Sequence, residues 1–496
     1  MKASPLRAWQ PPRLATTTAA VRGQVQHDAA RTAVAARVVY LGTAAYAALF
    51  VSAAVIHYLV FRTGQIDLGN MVQAIWNTRH GHFLETTTLQ GQQQDRLGIH
   101  VDPFLLLFVP IFWVWSSPLL LPVVQALAVA GGALPVYWLA RKHLHSTRAG
   151  ANFAFAYLLY PATQFNAFTS TSSFHSVAMA VPLLLYAVWF LDEDRRFAFA
   201  VAALLAFTTK EEIPLAVGCL GIWYAVRSGR RLFGLGVFAL GSAVTVFNFL
   251  WVIPHFSPSG SDPFAGRYTA VGGTPQGIVH KLFTDPMVFV HAVATGHKAT
   301  YLALLLVPFL GLWVLEPLLF LGALPDLVIN LLSSKSDQTS IPYHWTAGIV
   351  PFVVAASIFG AARFERQVGR VSLAALAATA LVAIYSPIYV LGSDVRALGS
   401  ARTSAEARAV GLIPHGAAVS ASIWLAGHLS ERRYSYRFPY VMRARWIAVD
   451  INDPNYGRST RLFKREVRNY ENSRTWRIVF ASHGIAVLHK RAGTDS

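Results

Sequence analysis

Charge is what this chain lacks. Only 13% of its 496 residues are charged, and acidic residues are the scarcer sign, 24 against 42 Lys and Arg. Soluble proteins carry about 25% charged residues. With 54% hydrophobic residues, the deficit excludes a soluble globular protein and indicates a polytopic membrane protein. Cysteine is nearly missing too. The single Cys219 lies in an apolar stretch, which excludes a disulfide framework and reads as a small buried hydrophobe. There is no P-loop, no dinucleotide-binding glycine fingerprint in a strand–helix context, no HExxH and no paired cysteines for structural zinc. Hydride transfer, ATP-driven chemistry and zinc-peptidase chemistry are therefore unsupported.

The charge that is present is unevenly placed. Residues 1–37 hold six Lys/Arg against one Asp, and residues 395–496 hold seventeen against seven Asp/Glu. The first stretch is too polar for a signal peptide and reads as a disordered basic cytoplasmic leader. A basic tail often signals nucleic acid. After a membrane domain, anionic membrane lipids or phosphorylated substrates fit better, and no nucleic-acid partner is expected.

A membrane-spanning helix needs about 20 mostly apolar residues. Segments 38–61, 118–140, 149–168, 175–191, 232–254, 298–315, 317–333, 346–362 and 371–391 qualify. The run from Phe197 to Val226 is interrupted by Thr208-Thr209-Lys210-Glu211-Glu212 and Pro214. As one helix it would reach about 45 Å, so it is read as two short helices, 196–209 and 212–227. The total is eleven transmembrane helices. Arginine and lysine in the short loops place the N-terminus inside. The parity holds only if 196–227 crosses twice and 101–115 does not cross. Loops 62–100 and 255–297, the Lys210 turn and segment 334–345 then face outward. Residues 38–394 form the membrane domain. Residues 395–496 form a small basic α/β domain outside, with helices at 405–410, 425–432 and 461–470 and strands at 418–423, 446–450, 477–481 and 485–489.

Several outer residues can carry chemistry. Asp67 precedes a stretch with Leu68, Met71, Val72, Ile75 and Trp76 at helical spacing, the mark of an interfacial helix. It is either the helix N-cap or a carboxylate presented as a base or metal ligand. His100 and Asp102, at the end of the same loop, can form an acid/base pair or serve as interfacial anchors. His175 lies at another outer loop, as a rim histidine or a site residue. Lys210 is a point-charge ligand for phosphate, or part of a self-neutralising turn with Glu211 and Glu212. Arg267 and Tyr268 suit a phosphate beside a sugar or isoprenoid. Asp326, within the ninth span, is functional by default unless it packs helices, and Tyr343 and His344 follow it in the next outer segment.

The phrases Asp67-Leu68-Gly69-Asn70, Leu97-Gly98-Ile99-His100-Val101-Asp102-Pro103, Thr209-Lys210-Glu211-Glu212, Phe264-Ala265-Gly266-Arg267-Tyr268 and Gln338-Thr339-Ser340-Ile341-Pro342-Tyr343-His344 together resemble a bacterial and archaeal family of multi-pass membrane proteins of unknown function. More distantly the layout is similar to GT-C glycosyltransferases, which use polyprenyl-phosphate sugars outside the cytoplasmic membrane. That resemblance implies Asp67 as the base activating an acceptor hydroxyl and Lys210 as the donor-phosphate ligand. It implies a polyprenyl-phosphate sugar lipid as partner and the cytoplasmic (inner) membrane of a bacterium as location. Two departures stand out. No Asp-X-Asp follows Asp67, so a divalent cation is possible but not required, and Glu211-Glu212 replaces the relatives' Gly-Pro. The reading is a membrane glycosyltransferase. A lipid or polysaccharide transporter and a non-catalytic scaffold are the alternatives.

Overall fold

A computed structural model describes residues 14–169, 173–453 and 460–491, with side chains from residue 33 onward. The first helix runs from Leu14 to Leu59, so it begins inside the stretch expected to be a disordered leader. Residues 14–32 hold five alanines, a single glycine and no proline, a composition that permits a helix. Residues 1–13 of that leader lie outside the described residues.

Helices occupy all eleven segments expected to span, but their lengths differ. Four are long and apolar enough to cross a membrane: Ala33–Leu59, Leu120–His143, Arg231–Phe256 and Glu365–Ala397. A fifth is possible if Met287–Val293 and Gly296–Phe309, bent by 69°, count as one span. Others are short apolar helices, among them Ser176–Asp192, Arg196–Phe207, Ile213–Ser228, Pro317–Leu332 and Val350–Ala361. Proline at the first turn opens many of them, where its missing N–H costs nothing.

Between Arg196–Phe207 and Ile213–Ser228 the chain turns as expected. The Thr208 and Thr209 hydroxyls donate to the Leu205 and Ala206 carbonyls, each at 2.7 Å, closing the first helix. The second helix packs on Arg231–Phe247 with backbones so close at Gly241 that a side chain there would strike the Pro214 carbonyl. This small-residue contact fixes the Lys210 turn.

After the first helix, Gln65–Gly69 forms a π-turn leading into the interfacial helix Asn70–Arg79. Strands β1 (Glu85–Thr87) and β2 (Gln93–Asp95) pair antiparallel behind it. The apolar segment Pro103–Val114 lies on that helix, burying Leu105, Phe108 and Phe112 against Met71, Val72 and Ile75.

The C-terminal region contains a five-stranded sheet of β3 (Val419–Ala421), β4 (Ser435–Arg437), β5 (Trp446–Asp450), β6 (Trp476–Ser482) and β7 (Ile485–Lys490), in the order β4-β3-β5-β7-β6. β3 runs parallel to β4 and β5, whereas β7 is antiparallel to β5 and β6. Helices Ala401–Gly411 and Ile423–His428 cover one face and Thr460–Glu471 the other. Strand β4 is the element that hydrophobic alternation missed, because Ser-Tyr-Arg shows no apolar pattern.

This region docks on the start of the first outer loop. The His428 ring sits 4.0 Å from both Tyr58 and Phe61. Gly427 leaves no room for a side chain against the Thr63 carbonyl. Gln65 donates to the Ser435 carbonyl at 2.6 Å, and Gln73 to the Arg433 carbonyl at 2.9 Å. The segment carrying Asp67 is thus held from both sides.

Candidate functional site

A cavity of about 380 Å³ opens beside the Lys210 turn. Its charged and polar wall is His100, Lys210, Glu211, Glu212, Asp262 and Arg267; Phe249, Ile278, Val328, Ile329 and Leu332 supply much of its apolar wall. The combination suits an amphipathic ligand with an ionic head.

The charges in this wall are not equivalent. Glu211 accepts from His100 Nδ1 at 2.9 Å and from the Val101 N–H at 3.0 Å. Glu212 pairs with the Lys210 ammonium, which also lies 4.7 Å from the centre of the Trp345 ring. Lys210, Glu211 and Glu212 are all buried. The Lys210 ammonium is therefore ion-paired within the turn. Arg267 differs. Its guanidinium rests over Phe264 at 4.0 Å and over Trp345 at 5.4 Å, with Gln338 Oε1 at 3.5 Å. Among the described residues no carboxylate lies within ion-pair distance of it. The Arg267 carbonyl accepts from the Ser334 N–H at 2.8 Å, which ties the two outer segments together. Tyr268 accepts a bond from Gln338 at 3.3 Å and completes this corner.

Asp67 does not line the cavity. It lies in the π-turn, half-buried, with Oδ1 3.7 Å from His175 Nε2. The His175 ring stacks on His344 at 3.4 Å, and His344 lies 4.4 Å from Trp345. A continuous row of rings thus joins Asp67 to the cavity wall. The carboxylate is not a helix cap: the interfacial helix starts three residues later, with Gly69 as its N-cap and no side-chain cap bond. Burial pushes the Asp67 carboxyl up to about 7, although Arg96, Lys335 and His100 oppose the rise. Burial, with His175 and Lys210 nearby, holds His344 well below the usual histidine value.

His100 and Asp102 do not form the expected acid/base pair. Asp102 is captured by Arg96, at 2.7 Å from Nη2 and 2.9 Å from Nε, and accepts from the Ser176 hydroxyl at 2.6 Å. Arg96 meets the Asp102 carboxylate with two N–H groups, and His100 turns to Glu211. Asp326 is buried behind the cavity, against Gly348, where there is no space for a side chain. Tyr343 and His344 lie on the segment between the two walls, outside the cavity lining. Sequence reasoning gave no role to Asp262, Phe249 or Arg96. Arg96 was readable as an arginine just before an apolar entry segment; Phe249, inside a span, carried no signal. Among the described residues, no group of three or more His, Cys, Asp or Glu could hold a metal ion.

A family model described as "Predicted membrane protein (DUF2079)" matches residues 57–487. The chain belongs to that family. No curated protein matches it. Among solved structures, ArnT from Cupriavidus metallidurans bound to undecaprenyl phosphate aligns with a TM-score of 0.50 at 11% identity, covering 90% of this chain and 98% of that one. Apo ArnT from the same organism gives 0.48 at 12% identity, with coverages of 90% and 98%. The Archaeoglobus fulgidus oligosaccharyltransferase in complex with Zn and sulfate gives 0.40 at 15% identity, over 89% of this chain and 73% of that one. The first of these likenesses shows the fold: a mostly helical GT-C-like membrane architecture followed by a small sheet domain.

Proposed function

We propose that this protein is a GT-C-type glycosyltransferase that moves a sugar from a polyprenyl-phosphate donor to an acceptor hydroxyl outside the cytoplasmic membrane. The observation that carries the reading is Arg267, a guanidinium with no carboxylate within ion-pair distance among the described residues, at a cavity that joins the charged Lys210 turn to an apolar wall of Phe249, Ile278, Val328, Ile329 and Leu332. An isoprenoid phosphate needs both features: a greasy groove for the chain and a bidentate cation for the head. The GT-C-like fold supports the donor class, since the ArnT structure it resembles is bound to undecaprenyl phosphate.

The chemistry follows from the placement of charge. An acceptor oxygen attacks the anomeric carbon, the bond from that carbon to the phosphate oxygen breaks, and the electron pair leaves with the polyprenyl phosphate. The acceptor proton passes to the Asp67 carboxylate. Arg267 compensates the charge growing on the leaving phosphate, while Lys210, Glu211, Glu212 and His100 hold the wall in shape. A base near pKa 7 balances basicity against ionisation at neutral pH. In this reading the chain crosses eleven times with its N-terminus inside. Residues 395–496 lie outside, and their basic surface rests near anionic lipid.

Purified protein in nanodiscs, given an undecaprenyl-phosphate sugar, tests the reading. The wild type should release undecaprenyl phosphate and glycosylate an envelope extract, while Arg267→Ala should bind the donor weakly. Donor movement across the bilayer without bond cleavage would indicate a transporter instead.

A further inference from the structure

A second cavity, of about 360 Å³, lies beside the first and belongs to none of the groups assigned above. It sits where the start of helix Gly296–Leu306 meets the turns Ala383–Tyr385 and Pro387–Val390. Residues Thr339 to Pro342 form the wall between. The same outer segment therefore serves both cavities: Gln338 and Trp345 face the first, and the four residues between Gln338 and Tyr343 face the second.

The lining chemistry is distinctive. It contains no Lys, Arg, Asp or Glu; its polar members are His297, Thr300, Thr339, Ser340 and three tyrosines. Their donors are largely spent on the backbone. Thr300 donates to the Gly296 carbonyl at 3.0 Å, Ser340 to the Ser336 carbonyl at 2.9 Å, and Thr339 to the same carbonyl at 3.3 Å. His297 Nε2 lies 3.2 Å from that carbonyl and 3.4 Å from the Ser340 hydroxyl. Thr300, Thr339 and Ser340 therefore offer a ligand chiefly acceptor lone pairs, while the tyrosine hydroxyls can donate or accept. Tyr385 and Tyr389 add exposed rings, Tyr389 at 72% exposure. A phosphate finds no cation here. A sugar donates from its hydroxyls and lays its C–H face on aromatic rings, so it matches both features.

We infer that this second cavity binds a neutral, hydroxyl-rich saccharide headgroup carried on a lipid, and that it is the acceptor side of the proposed transfer. The lipid-borne form follows from position, because Ile384, Tyr385 and Tyr389 are exposed on the C-terminal half of Glu365–Ala397, the last helix long and apolar enough to cross a membrane, where tyrosines suit the layer between headgroups and hydrocarbon. The acceptor role rests on the transferase reading; the binding site does not.

The test is native mass spectrometry of the full chain from nanodiscs doped with monoglucosyl diacylglycerol, undecaprenyl phosphate or phosphatidylglycerol. The wild type should retain the glucolipid in preference to phosphatidylglycerol. The double variant Tyr385→Ala/Tyr389→Ala, at exposed positions, should lose glucolipid retention by about fivefold to tenfold and keep undecaprenyl phosphate. Arg267→Ala should do the reverse. Equal retention of phosphatidylglycerol, or unchanged glucolipid retention in the double variant with its melting temperature preserved, would overturn the assignment. A wild type that holds both lipids at separate sites but transfers no sugar would remove the transferase reading and leave this site standing.

Discussion

Two sets of charges lie in and beside the first cavity, and they are built in opposite ways. In the Lys210 turn every charge is answered: Lys210 by Glu212, and Glu211 by His100 and a backbone N–H. Asp67 and Arg267 have no ionised partner of opposite sign within ion-pair distance among the described residues. Aromatic rings, a glutamine and a neutral histidine hold them instead. Buried charges that are fully paired stabilise a shape, while charges left unpaired remain available to a ligand. This contrast is what the proposed function rests on, with the turn as scaffold and Asp67 and Arg267 as the proposed reactive groups.

Removing a group from each side sharpens the contrast. The largest effect is expected at Asp67. Asp67→Asn should lower transfer by about 10²- to 10⁴-fold with membrane insertion and melting temperature unchanged, read in a nanodisc transfer assay. Next comes Glu212→Gln, which leaves the buried Lys210 ammonium uncompensated. It should cost about 3–5 kcal/mol of stability, seen in thermal unfolding, and replacing both residues together by Met and Leu should recover much of it. If Glu212→Gln instead abolished transfer in a protein of normal stability, the division between scaffold and reactive charge would fail. Arg267→Ala should weaken undecaprenyl phosphate binding by about 10- to 100-fold without affecting stability, and Arg267→Lys should restore only part of it.

A smaller effect sits in the C-terminal domain, where Glu406 is an intermediate case. It accepts from Arg402 at 3.3 Å, yet burial pushes its carboxyl up to about 7. The folded state therefore binds this proton more tightly than the unfolded state. The resulting stability is present at low pH and fades as pH rises through about 7. Protection of the Ala401–Gly411 amides, corrected for the intrinsic exchange rate, should be lower at pH 8 than at pH 5, by on the order of 2 kcal/mol or less, and Glu406→Gln should flatten that dependence.

Much of the architecture could be read from the sequence. Apolar length located the helices, and the Thr208–Glu212 interruption marked a real turn because charge cannot continue through hydrocarbon without cost. Partnership was harder to read. Nothing in the spacing of His100 and Asp102 shows that Arg96 takes one and Glu211 the other, since those partners are set by folding across 111 residues in one case and 6 in the other. Asp67 looked like a helix cap because Asp suits that position, but the π-turn moves the true cap to Gly69. The lengths of the short helices were also hidden, because hydropathy reports apolar content and not where proline and glycine break the backbone.

The most direct test of the account is lipid analysis of a deletion strain complemented with wild type, Asp67→Asn or Arg267→Ala. Loss of the gene should accumulate one undecaprenyl-phosphate sugar and deplete one envelope glycan. Wild type should reverse both changes, and Asp67→Asn, present at normal level in the membrane, should reverse neither. Full complementation by Asp67→Asn, or an unchanged pool of lipid-linked sugars in the deletion strain, would contradict it.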